Sequence, residues 1–326
     1  SNLTGINTEE AITTGTLAAT FPAPPIVLKE GDEFYLSLTN VGMMMRPDLF
    51  DPHTVHWHGF PEAGSIFDGV PDASISINMG STLTYYYNVV RPGTYMYHCH
   101  VEATEHMQMG MLGNLYVRPA QDGQNLGGYT KFAYNDGDGS TGYDVDYPIQ
   151  IGSFDSAFHD ASISTQPLPF ATMRDDYPML NGRGYPDTVN AAPMAPLDAN
   201  PIGNSTQPES SLIQAVPGQR ILLRISDLNV TRFYTLQSQG IDMLVIGRDA
   251  RLLRGPSPDG GITPGKTLYY RSNSVTVGGG ESYDVLIEIP DTASTGDTYF
   301  LHAGELNYLS NGEEEYGGMM TEIQVM

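Results

Sequence analysis

Cys99 is the single cysteine of a 326-residue chain, and it stands between His98 and His100, with His106 and Met111 close behind. Upstream, His53, His56 and His58 lie in the run His-Thr-Val-His-Trp-His, so six of the eight histidines fall in two short clusters. A thiolate, two neutral imidazoles and a weak axial thioether form a trigonal site suited to an ion that cycles between Cu(II) and Cu(I). Cys99, His53, His106 and Met111 supply that set. Met107 and Met109 are alternative axial donors; Met111 is preferred because Gly110 lets the backbone bend just before it. The other four histidines form two His-x-His pairs, His56/His58 and His98/His100. In a strand, residues two apart share a face, so each pair can offer two imidazoles to one pocket while Cys99 points the opposite way. One strand would then serve two metal sites, joined by a short covalent path from the sulfur through its neighbours.

Two other uses of these residues are weaker. A lone thiol is often a packed hydrophobe, but that leaves the clustering of the histidines without a cause. Zinc also takes cysteine and histidine, yet structural zinc sites do not use methionine.

The elements that must position these ligands are strands. The chain has 36 Gly and 23 Pro, which favours many short strands joined by turns, and long amphipathic helical periodicity is missing. Pro25 to Val41, Ser81 to Val89 and Arg220 to Ile225 read as strands. The expected class is all-β, with two Greek-key β-sandwich domains. Residues 1–120 would form the metal-binding domain and 148–326 the second. A linker is expected over 121–147, where Gly, Asn and Asp cluster, and a loop over Asp198 to Pro208.

The formal net charge of −23 and pI near 4.4 exclude nucleic acid as a partner, since phosphate binding needs basic patches. They favour solubility and cationic partners. No apolar run of membrane-spanning length exists, and the start of the chain is expected to be that of a mature or trimmed protein, with no signal peptide remaining. A single cysteine leaves no internal disulfide.

His53 to Gly59 and Tyr97 to Gly113 resemble the copper motifs of the multicopper oxidases, the cupredoxin family that includes laccases and, more distantly, copper nitrite reductases. The resemblance extends to Phe67-Asp68-Gly69-Val70-Pro71 and Leu112-Gly113-Asn114-Leu115-Tyr116-Val117. In the second half it takes in Leu180-Asn181-Gly182, Arg232-Phe233-Tyr234-Thr235-Leu236, Val245-Ile246-Gly247-Arg248-Asp249 and Glu281-Ser282-Tyr283-Asp284-Val285-Leu286. It implies two cupredoxin-like domains, the second without a type 1 site. It makes His53, Cys99, His106 and Met111 ligands of a type 1 copper, His56 a type 2 ligand, and His58, His98 and His100 ligands of a type 3 pair. Electrons from a small reducing substrate or metal ion would pass through His98-Cys99-His100 to a centre that reduces O2 to water. The family is usually exported, which implies an extracytoplasmic location.

Two departures stand out. Five residues separate His100 from His106 where the usual motif has three, and the cysteine motif lies in the first domain instead of the last. The family's oxygen centre uses eight histidines, and this chain cannot supply them alone. His159 and His302 stand apart and are expected to be structural, although His302 lies near where nitrite reductases place a ligand donated to a neighbour. Two-fold pairing of first domains would make eight from two copies of His56, His58, His98 and His100; a trimer is the alternative. A second reading is a blue-copper electron carrier or copper-binding protein with an incomplete oxygen site, to which Met43 to Met45 would add soft donors. Nitrite reduction is a third, disfavoured because His56 occupies the carboxylate position and Gln239 the second-domain histidine position.

Overall fold

The computed structural model describes residues 19–42, 50–164, 167–195, 205–260, 263–312 and 314–326. Met43 to Met45 and most of the loop expected at Asp198 to Pro208 lie outside the described residues.

The fold of the described residues is all-β, as expected. In the first half, β1 (Ala23–Lys29), β2 (Glu33–Thr39), β3 (His56–His58), β4 (Thr82–Asn88), β5 (Gly93–His98) and β6 (Leu112–Arg118) are joined by one short helix, α1 (Ala103–Gln108). One sheet has the order β1-β6-β5-β3 and the other pairs β2 with β4. The stretch Pro25 to Val41, expected as one strand, divides at a turn over Glu30–Asp32, and its two parts enter different sheets.

Alternation along β3 explains how this half positions its histidines. Trp57 is fully buried between the sheets, where its ring stacks on Tyr87 at 3.6 Å and 10°. Val55, Tyr85, Tyr95, Leu115 and Val117 complete that core. With Trp57 turned inward, the pleat sends His56 and His58 to the opposite face. Truncating a buried ring of this kind costs about 3–5 kcal/mol, so β3 is firmly anchored. Antiparallel register sets His56 opposite His98 and His58 opposite Met96.

The second half contains a seven-stranded sheet and a five-stranded sheet. Their shared core includes Ile149, Ile151, Ile221, Leu223, Ile225, Leu236, Val285 and Leu301. The strand Arg220–Asp227 is buried on both faces: Ile221, Leu223 and Ile225 enter this core, while Leu222 packs with Tyr134 and Tyr143. The stretch 121–147 carries a small hairpin, Lys131–Phe132 with Gly142–Tyr143, and buries Phe132, Tyr134 and Tyr143.

A buried polar seam joins the halves. Thr94 of β5 donates to Asp284 at 2.5 Å, and Ser282 donates to the Thr94 carbonyl at 2.8 Å. Tyr134 also donates to Asp284. Arg224 is fully buried, pairs with Asp146 at 3.2 Å and lies over the Tyr116 ring at 5.1 Å. Buried charges persist only when paired in this way.

Candidate metal centre

Three segments meet at Cys99. The thiol lies just past the end of β5, and its amide donates to the Met111 carbonyl at 3.1 Å. His53 arrives from a short bridge with Ile77, exchanging hydrogen bonds of 2.8 and 3.0 Å. His106 arrives on α1. That helix follows Glu102, which adopts a left-handed conformation at φ 45°, and ends before Gly110 at φ 90°. A side chain at 110 would also strike the Phe21 ring at 2.5 Å, so the turn needs glycine for two reasons. The resulting distances are 3.2 Å from Cys99 Sγ to His106 Nδ1 and 3.8 Å to His53 Nδ1. Met111 is anchored by its backbone, and its side chain is 37% exposed. Met107 instead lines the four-histidine cavity, and Met109 a separate one with Phe21 and His159.

Asp51 was not singled out from sequence. Its carboxylate meets His106 Nε2 at 3.0 Å and His53 Nε2 at 3.5 Å, so both rings offer Nδ1 to the sulfur and Nε2 to one carboxylate. Burial pushes the Cys99 thiol up, but hydrogen bonds from His106 and His53 outweigh it and bring it down to about 6. Burial lowers His106, yet Asp51 and Cys99 together raise it to about 10. Without metal, then, this arrangement favours an imidazolium at His106 between the Cys99 sulfur and the Asp51 carboxylate.

The other histidines converge on the opposite side of this motif. One donor nitrogen from each of His56, His58 and His98 lies within 4.8 Å of the others, and the His100 ring is 5.2 Å from His56 and 5.7 Å from His98. The expectation that both pairs sit within strands holds for His56, His58 and His98 but not for His100. β5 ends at His98, because the chain turns at Val101–Glu102 toward α1, and His100 joins the cluster from beyond the strand. Nδ1 of His56 contacts the Asp68 carbonyl at 2.6 Å, and Nδ1 of His98 the Cys99 carbonyl at 2.7 Å. Such outer contacts fix tautomer and ring direction, leaving the far nitrogen as the donor. His58 Nδ1 and His98 Nε2 face each other at 3.2 Å.

Electrostatics suit metal ligation here. Burial, with the neighbouring imidazoles, lowers His98 to about 3 and also lowers His58. These two rings, His58 and His98, therefore favour the neutral form that coordination requires. The four histidines line a cavity of about 540 Å³, whose opposite wall is Leu228–Phe233 with Gly279 and Gly280. Gly280 is needed for its closeness: a Cβ there would lie 2.6 Å from His58 Nε2, and its φ is 91°. His159 and His302 are in neither metal-competent cluster among the described residues. The His159 ring lies tilted against Phe154 with centroids 3.7 Å apart, and His302 Nδ1 meets the Ala303 carbonyl at 2.8 Å.

A family model described as multicopper oxidase matches residues 4–122. A multicopper oxidase from Talaromyces pinophilus is 34% identical over 104 residues, 31% of this chain and 16% of that protein. Laccase-2 from Botryotinia fuckeliana is 24% identical over 292 residues, 88% of this chain and 41% of that protein. The chain thus spans less than half the length of these curated relatives. Among solved structures, a blue copper oxidase from Nitrosomonas europaea superposes with a TM-score of 0.67 at 23% identity, covering 94% of this chain and 77% of that one.

Proposed function

We propose, from the premise that this chain is a cupredoxin-fold relative of the multicopper oxidases, that it is a copper oxidoreductase which takes electrons from a small reductant and delivers them to O2, forming water. The observation that supports this most is the back-to-back placement of a Cys99/His53/His106 cluster and a four-imidazole cluster on one His98-Cys99-His100 segment. Cys99, His53 and His106, with Met111 as the nearby thioether, would hold a type 1 copper. His56 would serve a type 2 copper and His58, His98 and His100 a type 3 pair. When bound, copper at these positions supplies one-electron redox chemistry and the site at which oxygen is reduced.

The protein's part in that activity follows from its own groups. His106 and His53 favour the thiolate form of Cys99, and a metal held at Nδ1 of His106 would replace the proton there. Asp51 would accept from Nε2 of His106 and face Nε2 of His53 at 3.5 Å, fixing the directions of the rings. The Cys99 backbone gives a covalent route of a few bonds to His98 and His100. On the other side, Trp57 keeps His56 and His58 aimed into the cavity.

Four imidazoles are half of the family's complement, so the oxygen centre is completed by a second copy of the chain, with two-fold pairing of first halves favoured and a trimer as the alternative. The second half already covers one wall of the cavity, so a partner approaches from the open side. The competing reading, an electron carrier, is favoured by the absence of His159 and His302 from that cavity. The location consistent with the relatives is extracytoplasmic. Copper content, oligomer mass and oxygen consumption with a phenol, Fe(II) or Cu(I), measured on one preparation, separate the two. An oligomer holding one type 1 copper per chain, no further copper and no oxygen uptake would leave only the carrier.

A further inference from the structure

The longer stretch between His100 and His106 turns into the first half of α1, and beyond His106 that helix ends in Gln108, a polar residue only 4% exposed. Gln108 reaches into the second half. Its Nε2 donates to Asp175 Oδ1 at 3.0 Å, and its Oε1 accepts from the Asp155 amide at 3.1 Å. His159 Nε2 lies 3.4 Å from the same oxygen. Asp155 is itself fixed, accepting from the Phe158 and Arg174 amides. The other oxygen of Asp175 accepts from the Thr231 hydroxyl, and Thr231 belongs to the Leu228–Phe233 wall of the four-histidine cavity. One buried carboxylate, 5% exposed, therefore grips the helix that carries His106 with one oxygen and the wall of the second cluster with the other.

We propose that the second half acts as a brace for both metal clusters, with Gln108 and Asp175 as positioning residues: Gln108–Asp175–Thr231 fixes the type 1 loop relative to the cavity wall, independently of the covalent His98-Cys99-His100 link. This rests on the metal assignment above for its copper readouts, but not for its effect on the metal-free chain. It gives a half without a type 1 site a role in the metal chemistry. A polar side chain so enclosed holds its partners strongly, because a buried group that loses such a bond has no water to replace it.

The test uses the full chain and four variants. Gln108→Met keeps length and removes the bonds; Thr231→Val removes only the cavity-wall arm. Asp175→Leu removes both arms, and Asp175→Asn can keep both. In the metal-free chain, hydrogen exchange should accelerate roughly tenfold over residues 228–233 in Thr231→Val, the size expected for one buried hydrogen bond, and by at least about tenfold over 103–111 in Gln108→Met, which loses two. In the copper-loaded chain, Gln108→Met should broaden the type 1 electron paramagnetic resonance signal and speed loss of that copper to a chelator, while Thr231→Val perturbs only the second centre. Asp175→Leu should do both, and Asp175→Asn should behave as the parent. Parent-like exchange in Gln108→Met and Thr231→Val overturns the brace, and this pair decides the matter if Asp175→Leu does not fold. A parent chain that binds no copper would refute the metal assignment instead, with the exchange result still standing.

Discussion

Replacing Gly280 by alanine should separate the two clusters. The new Cβ would sit 2.6 Å from His58 Nε2 and 2.8 Å from its Cε1, about 0.8 Å short of the 3.4 Å at which ordinary contact begins. Gly280 also has a φ of 91°, where an L side chain costs roughly 1–2 kcal/mol. The ring cannot retreat freely, since Trp57 pins the strand beneath it. His58 must tilt, and its Nδ1 must leave the 3.2 Å relation with His98 Nε2. Metal sites tolerate displacements of only about 0.5 Å, so affinity at the four-histidine centre should fall by about tenfold or more. Cys99, His53 and His106 are untouched by this change. The assay is copper stoichiometry, the type 1 visible band and oxygen uptake on one preparation. The band should survive and bleach on adding reductant, yet fail to recover in air. Full copper at the second centre with parent-like oxygen turnover would refute the claim that this close approach sets the position of His58.

Asp51→Asn removes the charge that accepts from His106 Nε2 and faces His53 Nε2, which should weaken type 1 copper binding by about 10–100-fold. It should also raise the reduction potential, by about 59 mV for each tenfold loss in preference for Cu(II); an unchanged potential by redox titration would count against the bridging role. The metal-free chain should show a characteristic dependence on pH. Cys99, lowered from 9.0 to about 6, contributes stability above its unfolded value that is lost as pH falls through 6. His106, raised from 6.5 to about 10, contributes stability below its unfolded value that is lost as pH rises through 10. The two slopes oppose each other between 6.5 and 9, so denaturant midpoints should be level there and fall on either side. In Cys99→Ser the thiolate contribution and its acid limb should disappear, and a parent-like profile would exclude the ion pair.

The chemistry was legible in the sequence where residue type and backbone period coincide. His56-Trp57-His58 shows its two faces directly, because the pleat repeats every two residues, and a solitary cysteine flanked by histidines has few other uses. Asp51 was hidden among 38 acidic residues, since its link to His53 and His106 exists only after folding. Gln108 gave no signal either: its partners Asp155 and Asp175 come from the other half of the chain. The departure of His100 from strand geometry follows from the turn into α1, a six-residue helix too short to register as periodicity. The Pro25 to Val41 stretch misled because both of its parts are extended, and only the turn residues Glu30-Gly31-Asp32 mark the passage from one sheet to the other.

The pairing of β3 with β5 carries its own safeguard against misfolding. A slip of one residue would exchange the faces of every side chain on β3, driving two imidazoles between the sheets and leaving the indole stranded over the cavity. The misaligned chain would lose its aromatic stack and its metal donors in the same event. Folding and metal competence are thus checked by a single choice of alignment, and no well-packed form with the wrong alignment can masquerade as the active one.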